Sequence, residues 1–120
     1  MNIVLLTADL MTSSQLAAAA QREGYAAETS GSAAAAVESC GRQAVDLLVL
    51  DLSLPGLDSA ALVASLRTSD TPPGAIIAFG PHVHEKKLQA ARDAGCDQVL
   101  SRGQFFSQAA DVYRQFAQQD

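Results

Sequence analysis

Residues 46–58 read Asp46-Leu47-Leu48-Val49-Leu50-Asp51-Leu52-Ser53-Leu54-Pro55-Gly56-Leu57-Asp58, and the fold is decided there. Four consecutive apolar residues stand between two aspartates. An unbroken apolar run this short suits a strand buried on both faces, whereas a buried helix needs more length. Leu54-Pro55-Gly56 ends the run, because proline removes a backbone donor and glycine permits turn conformations. Asp58 is then placed to cap a new helix. Asp51 is therefore expected at the carboxyl end of a central strand, the edge of an open α/β sheet where sites collect.

The same grammar extends in both directions. Ile3-Val4-Leu5-Leu6 is a second short apolar run and reads as a buried first strand. A first helix is expected over Met11 to Glu23, stopped by a C-cap glycine at Gly24. Tyr25 to Thr29 is a weaker strand, and a second helix starts at Ser30-Gly31-Ser32 and ends near Gly41. After the central strand a third helix runs from Ser59 to Thr68, until Pro72-Pro73-Gly74 forbids helix. Ala75 to Phe79 is the fourth strand. A fourth helix begins near Val83 and closes at Gly95, Val99-Leu100 forms a short fifth strand, and the last helix covers Gln104 to Gln118. Strand and helix alternate five times, which predicts an α/β fold of three layers. Its doubly wound five-stranded parallel sheet is expected in the order 2-1-3-4-5, with helices on both faces. That order leaves a crevice above strands 1 and 3, where Thr7, Ala8 and Asp9 would meet Asp51.

Composition narrows the class. The chain has 120 residues, 48% apolar and 18% charged, with a net charge of −5. One globular domain over residues 1–120 is expected, with no output module after it. The acidic balance argues against a nucleic-acid partner, which requires a basic patch. No segment approaches the ~18 apolar residues of a membrane span, and no basic residue precedes Arg22, so neither a membrane anchor nor a signal peptide is expected. The cysteines, Cys40 and Cys96, lack metal-ligand spacing and read as reduced, packed thiols of a cytoplasmic protein. His82 and His84 are two residues apart, the wrong spacing for metal ligands on one helix face, and read as solvated histidines.

The run Leu50-Asp51-Leu52-Ser53-Leu54-Pro55-Gly56-Leu57-Asp58, with the strand pattern around it, resembles the receiver domain of bacterial response regulators. The resemblance spans the chain element by element. It implies a flavodoxin-like fold and a module of two-component phosphorelay signalling, not an enzyme. In that family an aspartate at the place of Asp51 accepts a phosphoryl group. An acidic pair after the first strand holds magnesium, and a backbone carbonyl two residues past the acceptor, here Ser53, also binds the metal.

Several of the family's positions are changed. The acidic pair falls on Thr7 and Ala8, with Asp9 one residue later; side chains alternate along an extended chain, so Asp9 reaches the crevice only if the loop is shifted by one. The switch hydroxyl falls on Gly80 and the switch aromatic on Val99. The family's lysine becomes Arg102, a wider planar cation that still grips phosphate, followed by Gly103 in place of a proline.

Two accounts of Asp51 stay open: a phospho-acceptor, or a carboxylate that merely bonds nearby N–H groups or pairs with Arg102. The first expectation is accordingly a degenerate, stand-alone pseudo-receiver that acts through protein contacts, with no cofactor, no catalytic residue, and weak or no metal binding. The rival is a conventional receiver phosphorylated on Asp51 by a histidine kinase or phosphotransfer protein, with magnesium as its cofactor. A flavodoxin-like enzyme or nucleotide binder is disfavoured, since Thr7-Ala8-Asp9-Leu10-Met11 carries no glycines for a phosphate loop.

The expected partner is a signalling protein: a histidine kinase, a phosphotransfer protein or a downstream target. A second copy of the chain is a further candidate, through the face of helix 4, strand 5 and helix 5. In the last helix Phe105, Ala109, Val112 and Phe116 form one apolar stripe; Phe106, Ala110, Tyr113 and Ala117 form another. Either both are buried as one wide face, or Phe106 and Tyr113 are part-exposed anchors of an interface.

Overall fold

The computed structural model describes residues 1–117. The elements follow in the order β1 (Asn2–Leu6), α1 (Leu10–Arg22), β2 (Ala26–Ser30), α2 (Ala33–Arg42), β3 (Leu47–Asp51), α3 (Ser59–Arg67), β4 (Ala75–Gly80), α4 (Glu85–Asp93), β5 (Gln98–Ser101) and α5 (Arg102–Ala117). All strand pairs are parallel, in the order β2-β1-β3-β4-β5. The doubly wound topology expected from the alternation is the one observed.

The pleat divides the core in two. Val4 and Leu6 of β1, with Leu48 and Leu50 of β3, pack against α2, α3 and α4. Ile3 and Leu5, with Leu47 and Val49, pack against α1 and α5. Every residue of β3 and β4 is buried, which is why both read as continuous apolar runs. Strand β5 lies at the sheet edge and is half-buried throughout.

Helix ends follow local chemistry. Asp58 accepts from the Ala61 N–H at 3.0 Å and opens α3 as expected. Helix α1 begins one residue earlier than the periodicity suggests because Asp9 is its N-cap. Helix α4 begins at Glu85, two residues later than Val83, after a turn in which the His84 N–H donates to Pro81 O. Gly74 is required by close approach: a Cβ there would sit 2.8 Å from the carbonyl oxygen of Asp46. Gln118, the expected end of the last helix, lies outside the described residues. Among the described residues no helix is long and apolar enough to cross a membrane.

Candidate functional site

Register builds the crevice. Leu6 of β1 pairs with Leu50 of β3, so the next residues, Thr7 and Asp51, finish side by side at the carboxyl edge. Both are buried, at 3% exposure each. The Thr7 hydroxyl donates to Asp51 Oδ2 at 2.6 Å. The Ser53 N–H donates to Asp51 Oδ1 at 2.9 Å. A buried carboxylate must have its lone pairs satisfied, and these two donors serve one oxygen each. Ser53 thus reaches Asp51 through its N–H, and its side chain is exposed. Of the pairings the sequence left open for Asp51, the backbone N–H is the one formed; Arg102 bonds elsewhere.

Asp9 turns toward α1. Its carboxylate caps the helix, accepting from the Thr12 N–H at 3.3 Å and the Thr12 hydroxyl at 2.5 Å. The Thr12 hydroxyl bond is the main cause holding the Asp9 carboxyl below its usual range, with the nearby Arg102 charge a smaller one. Ala8 is exposed and contributes no polar side chain. Arg102, the first residue of α5, donates to Thr12 Oγ1 at 2.7 Å and reaches Asp9 Oδ2 at 3.5 Å. Its guanidinium lies 4.5 Å from the centre of the Phe106 ring, a cation–π placement. The cation and the second carboxylate at the rim are thus engaged with each other.

The switch positions are filled by apolar packing. Gly80 ends β4, and a Cβ there would meet the Leu52 Cβ at 3.2 Å. Leu52 itself is buried. Val99 packs half-buried against the α2–α3–α4 side of the core.

Magnesium takes oxygen ligands in near-ideal octahedral geometry and keeps several waters. The donor set does not fit it. Both oxygens of Asp51 are bonded within the protein, the Asp9 carboxylate is bonded to Thr12 and Arg102, and no group of three or more His, Cys, Asp or Glu side chains gathers among the described residues. His82 and His84 are exposed in the β4–α4 turn.

Of the two alternatives for the last helix, the interface anchor is overturned at Tyr113. Tyr113 is fully buried, its hydroxyl donating to Leu16 O at 3.1 Å and its ring edge-on to Phe105 at 5.9 Å. It is a core residue that ties α5 to α1 and cannot anchor an interface. Phe106 is half-buried, under Arg102 and 5.8 Å from the Phe79 ring. Two residues of the site, Thr12 and Leu52, were not singled out from the sequence. Thr12 stands three residues after Asp9, the spacing at which an N-cap carboxylate meets helix donors, and that spacing is the signal that points to it.

A family model described as the response regulator receiver domain matches residues 3–108. The chain belongs to the response regulator receiver domain family. Receiver domains are signalling modules of two-component systems that interact with histidine kinases and other signalling proteins. A transcriptional activator protein of Pseudomonas aeruginosa, PfeR, is 42% identical over 53 residues, which is 44% of this chain and 17% of that protein's length. Among solved structures, the signal receiver domain of a response regulator from Bermanella marisrubri matches at a TM-score of 0.85, with 21% identity over 97% of both chains. The receiver domain of the TMAO respiratory system response regulator TorR matches at 0.84, with 23% identity over 99% of this chain and 98% of that one. The receiver domain of a Pseudomonas aeruginosa sensor histidine kinase, described with a magnesium ion coordinated in its active-site cleft, matches at 0.81, with 20% identity over 96% and 95%. These structures share the receiver fold.

Proposed function

We propose that this receiver signals through protein contacts and without phosphorylation of Asp51. The observation that carries this reading is the internal use of the Asp51 carboxylate: Thr7, standing where the family has an acid, donates to one oxygen, and the Ser53 N–H donates to the other. An acceptor needs a cation to offset the charge that develops as its carboxylate attacks phosphorus. Here Thr7 and Ala8 supply no charge, and Gly80 supplies no hydroxyl.

The partner in this reading is a cytoplasmic signalling protein: a histidine kinase, a phosphotransfer protein or a downstream target. The likeness to a transcriptional activator over 53 residues supports a role in controlling transcription. A second copy of the chain is a further candidate partner, through the face of α4, β5 and α5. Support for that face comes from the half-buried edge strand β5 and an open groove beside it lined by His82, Lys86, Gln89, Arg92 and Gln104. Phe106 faces the other way, lining a groove between α1 and α5 with Ser14, Ala18 and Arg22, so it supplies no aromatic anchor there.

The rival reading, a conventional acceptor phosphorylated on Asp51 with magnesium, draws support from one feature: Asp51 still closes the central strand with an arginine at the crevice rim. Amide spectra with millimolar magnesium and beryllofluoride separate the two. The proposal expects no saturable shifts around Asp51. Saturable shifts confined to residues 7–9, 51–53 and 80 would establish the rival. The substitutions Thr7→Asp and Ala8→Asp together should create such binding.

A further inference from the structure

The crevice rim carries a polar cluster built around Thr12, a residue for which the receiver reading gives no role. Thr12 is a threonine with none of its surface exposed. A buried helical threonine commonly satisfies its hydroxyl on the carbonyl one turn back. This one uses it twice across the fold: it donates to Asp9 Oδ2 at 2.5 Å and accepts from Arg102 Nη2 at 2.7 Å. The direct contact between Arg102 and Asp9 is 3.5 Å, well beyond the ~2.7–2.9 Å of a strong charge-assisted hydrogen bond. The hydroxyl therefore stands between the two charges as their shared partner. On its other side the guanidinium lies over the Phe106 ring at 4.5 Å. Thr12 belongs to the first turn of α1 and Arg102 opens α5, so the cluster joins segments 90 residues apart.

We propose that Thr12 is a positioning residue whose hydroxyl holds Arg102 and Asp9 in a clasp on the rim, so that the arginine is withheld from the Asp51 crevice. The inference rests on the receiver reading of that crevice, but not on whether Asp51 takes phosphate. The clasp fixes where the cation points. It also joins the β1–α1 and β5–α5 junctions, the two segments that flank the crevice on the α1–α5 side. Thr12 acts through Arg102 and Asp9 and touches nothing that would bind at Asp51.

The test uses the full chain, with neither magnesium nor a phosphate mimic, and reads the hindered rotation of the Arg102 guanidinium from its Nη signals. Thr12→Val keeps the shape and removes the hydroxyl. Rotation is expected to quicken about three- to tenfold, the factor carried by a lost hydrogen bond of ordinary net strength. Thr12→Ser keeps the hydroxyl and should rotate as the natural chain does. Asp9→Asn removes the charge but retains an oxygen that caps the helix. Under the proposal it leaves Arg102 rotation within about twofold of the natural value, because the hydroxyl and not the ion pair is the holder. Unchanged rotation in a folded Thr12→Val protein would overturn the proposal. So would an Asp9→Asn protein in which Arg102 turns about three- to tenfold faster, a result that needs no folded Thr12→Val variant. Saturable magnesium and beryllofluoride shifts in the natural chain would overturn the phosphate-independent reading and leave the clasp standing.

Discussion

Thr7 Oγ1 and Asp51 Oδ2 are 2.6 Å apart, a buried hydrogen bond between the ends of β1 and β3. Thr7 has a second duty, accepting from the Asp9 N–H at 3.2 Å, which directs its proton to the carboxylate. Thr7→Val should leave Oδ2 buried without a donor and cost about 1–3 kcal/mol, read as a lower urea midpoint at unchanged slope. Thr7→Ser should restore most of that. A Thr7→Val protein as stable as the natural chain would show that the bond contributes nothing.

Asp51→Asn tests the same bond from the other side. The oxygen of the new amide can still accept from the Ser53 N–H, while its nitrogen faces a Thr7 hydroxyl that can accept. Stability should change by less than about 1 kcal/mol. No gain from relieved repulsion by Asp9 is expected, because that carboxylate is turned to Thr12 and Arg102. Under the proposed function, partner binding survives the substitution. A folded Asp51→Asn protein that no longer binds its partner would favour phosphate-dependent signalling.

Gly80 and Leu52 form a matched pair at the crevice wall. A side chain at position 80 would meet the Leu52 Cβ at 3.2 Å and a Leu88 methyl at 3.8 Å. Restoring the hydroxyl with Gly80→Thr should therefore destabilise by about 1–3 kcal/mol, as overpacking of a closed core does. Leu52→Gly, which removes the Cβ that the new side chain meets, should recover part of that loss in the same molecule, giving a favourable coupling of at least ~0.5 kcal/mol in a double-mutant cycle. Additive effects would mean that the two side chains do not compete for space.

Much of this molecule is legible in its sequence, for physical reasons. Strands β3 and β4 are buried on both faces, so their residues are apolar without interruption and cannot be mistaken for exposed helix. Asp58 announces a helix start, and Gly24 and Gly95, both at positive φ, follow helix ends. The direction of Asp9 was less legible, because strand alternation and helix capping give different answers at a strand–helix junction. Capping prevailed. The last helix was only half legible, because two adjacent stripes fit either one wide buried face or a core stripe beside an exposed one. The wide face is the one formed: Tyr113 stands eight residues after Phe105, a spacing that returns to the same broad helix face, and Phe105, Ala109, Val112 and Tyr113 are all buried.

Tyr113 itself offers a sharp check on that packing. Its hydroxyl is satisfied by Leu16 O, and burial pushes the phenol's pKa upward, so it stays protonated. Tyr113→Phe removes one hydrogen bond and should cost about 0.5–1.5 kcal/mol. Tyr113→Ala should cost about 3–5 kcal/mol by opening a cavity between α1 and α5. Chemical denaturation distinguishes the two. An Ala variant that keeps its midpoint and loses only self-association would return Tyr113 to the surface.

Glu28 contributes to the acid side of the stability curve. It accepts from the Ser39 hydroxyl at 2.6 Å, from Arg42 at 2.7 Å and from Gln43 at 3.2 Å, tying β2 to α2. The Ser39 bond, then Arg42, holds its pKa below the usual value of 4.5. A carboxyl whose folded pKa lies below its unfolded one adds stability at pH values above the unfolded pKa. That stability fades as pH falls through 4.5 toward the folded value. The natural chain should therefore lose stability between roughly pH 5 and pH 3 more steeply than Glu28→Gln, whose amide does not titrate. Ser39→Ala should show an intermediate slope, because it removes the largest cause of the shift and leaves Arg42. Because Glu28 and Arg42 are both substantially exposed, added salt should shrink the Arg42 share and leave the Ser39 share in place. Urea midpoints across roughly pH 3 to pH 7, at low and high salt, decide the matter. Parallel curves for the natural chain and Glu28→Gln would remove Glu28 from the acid response.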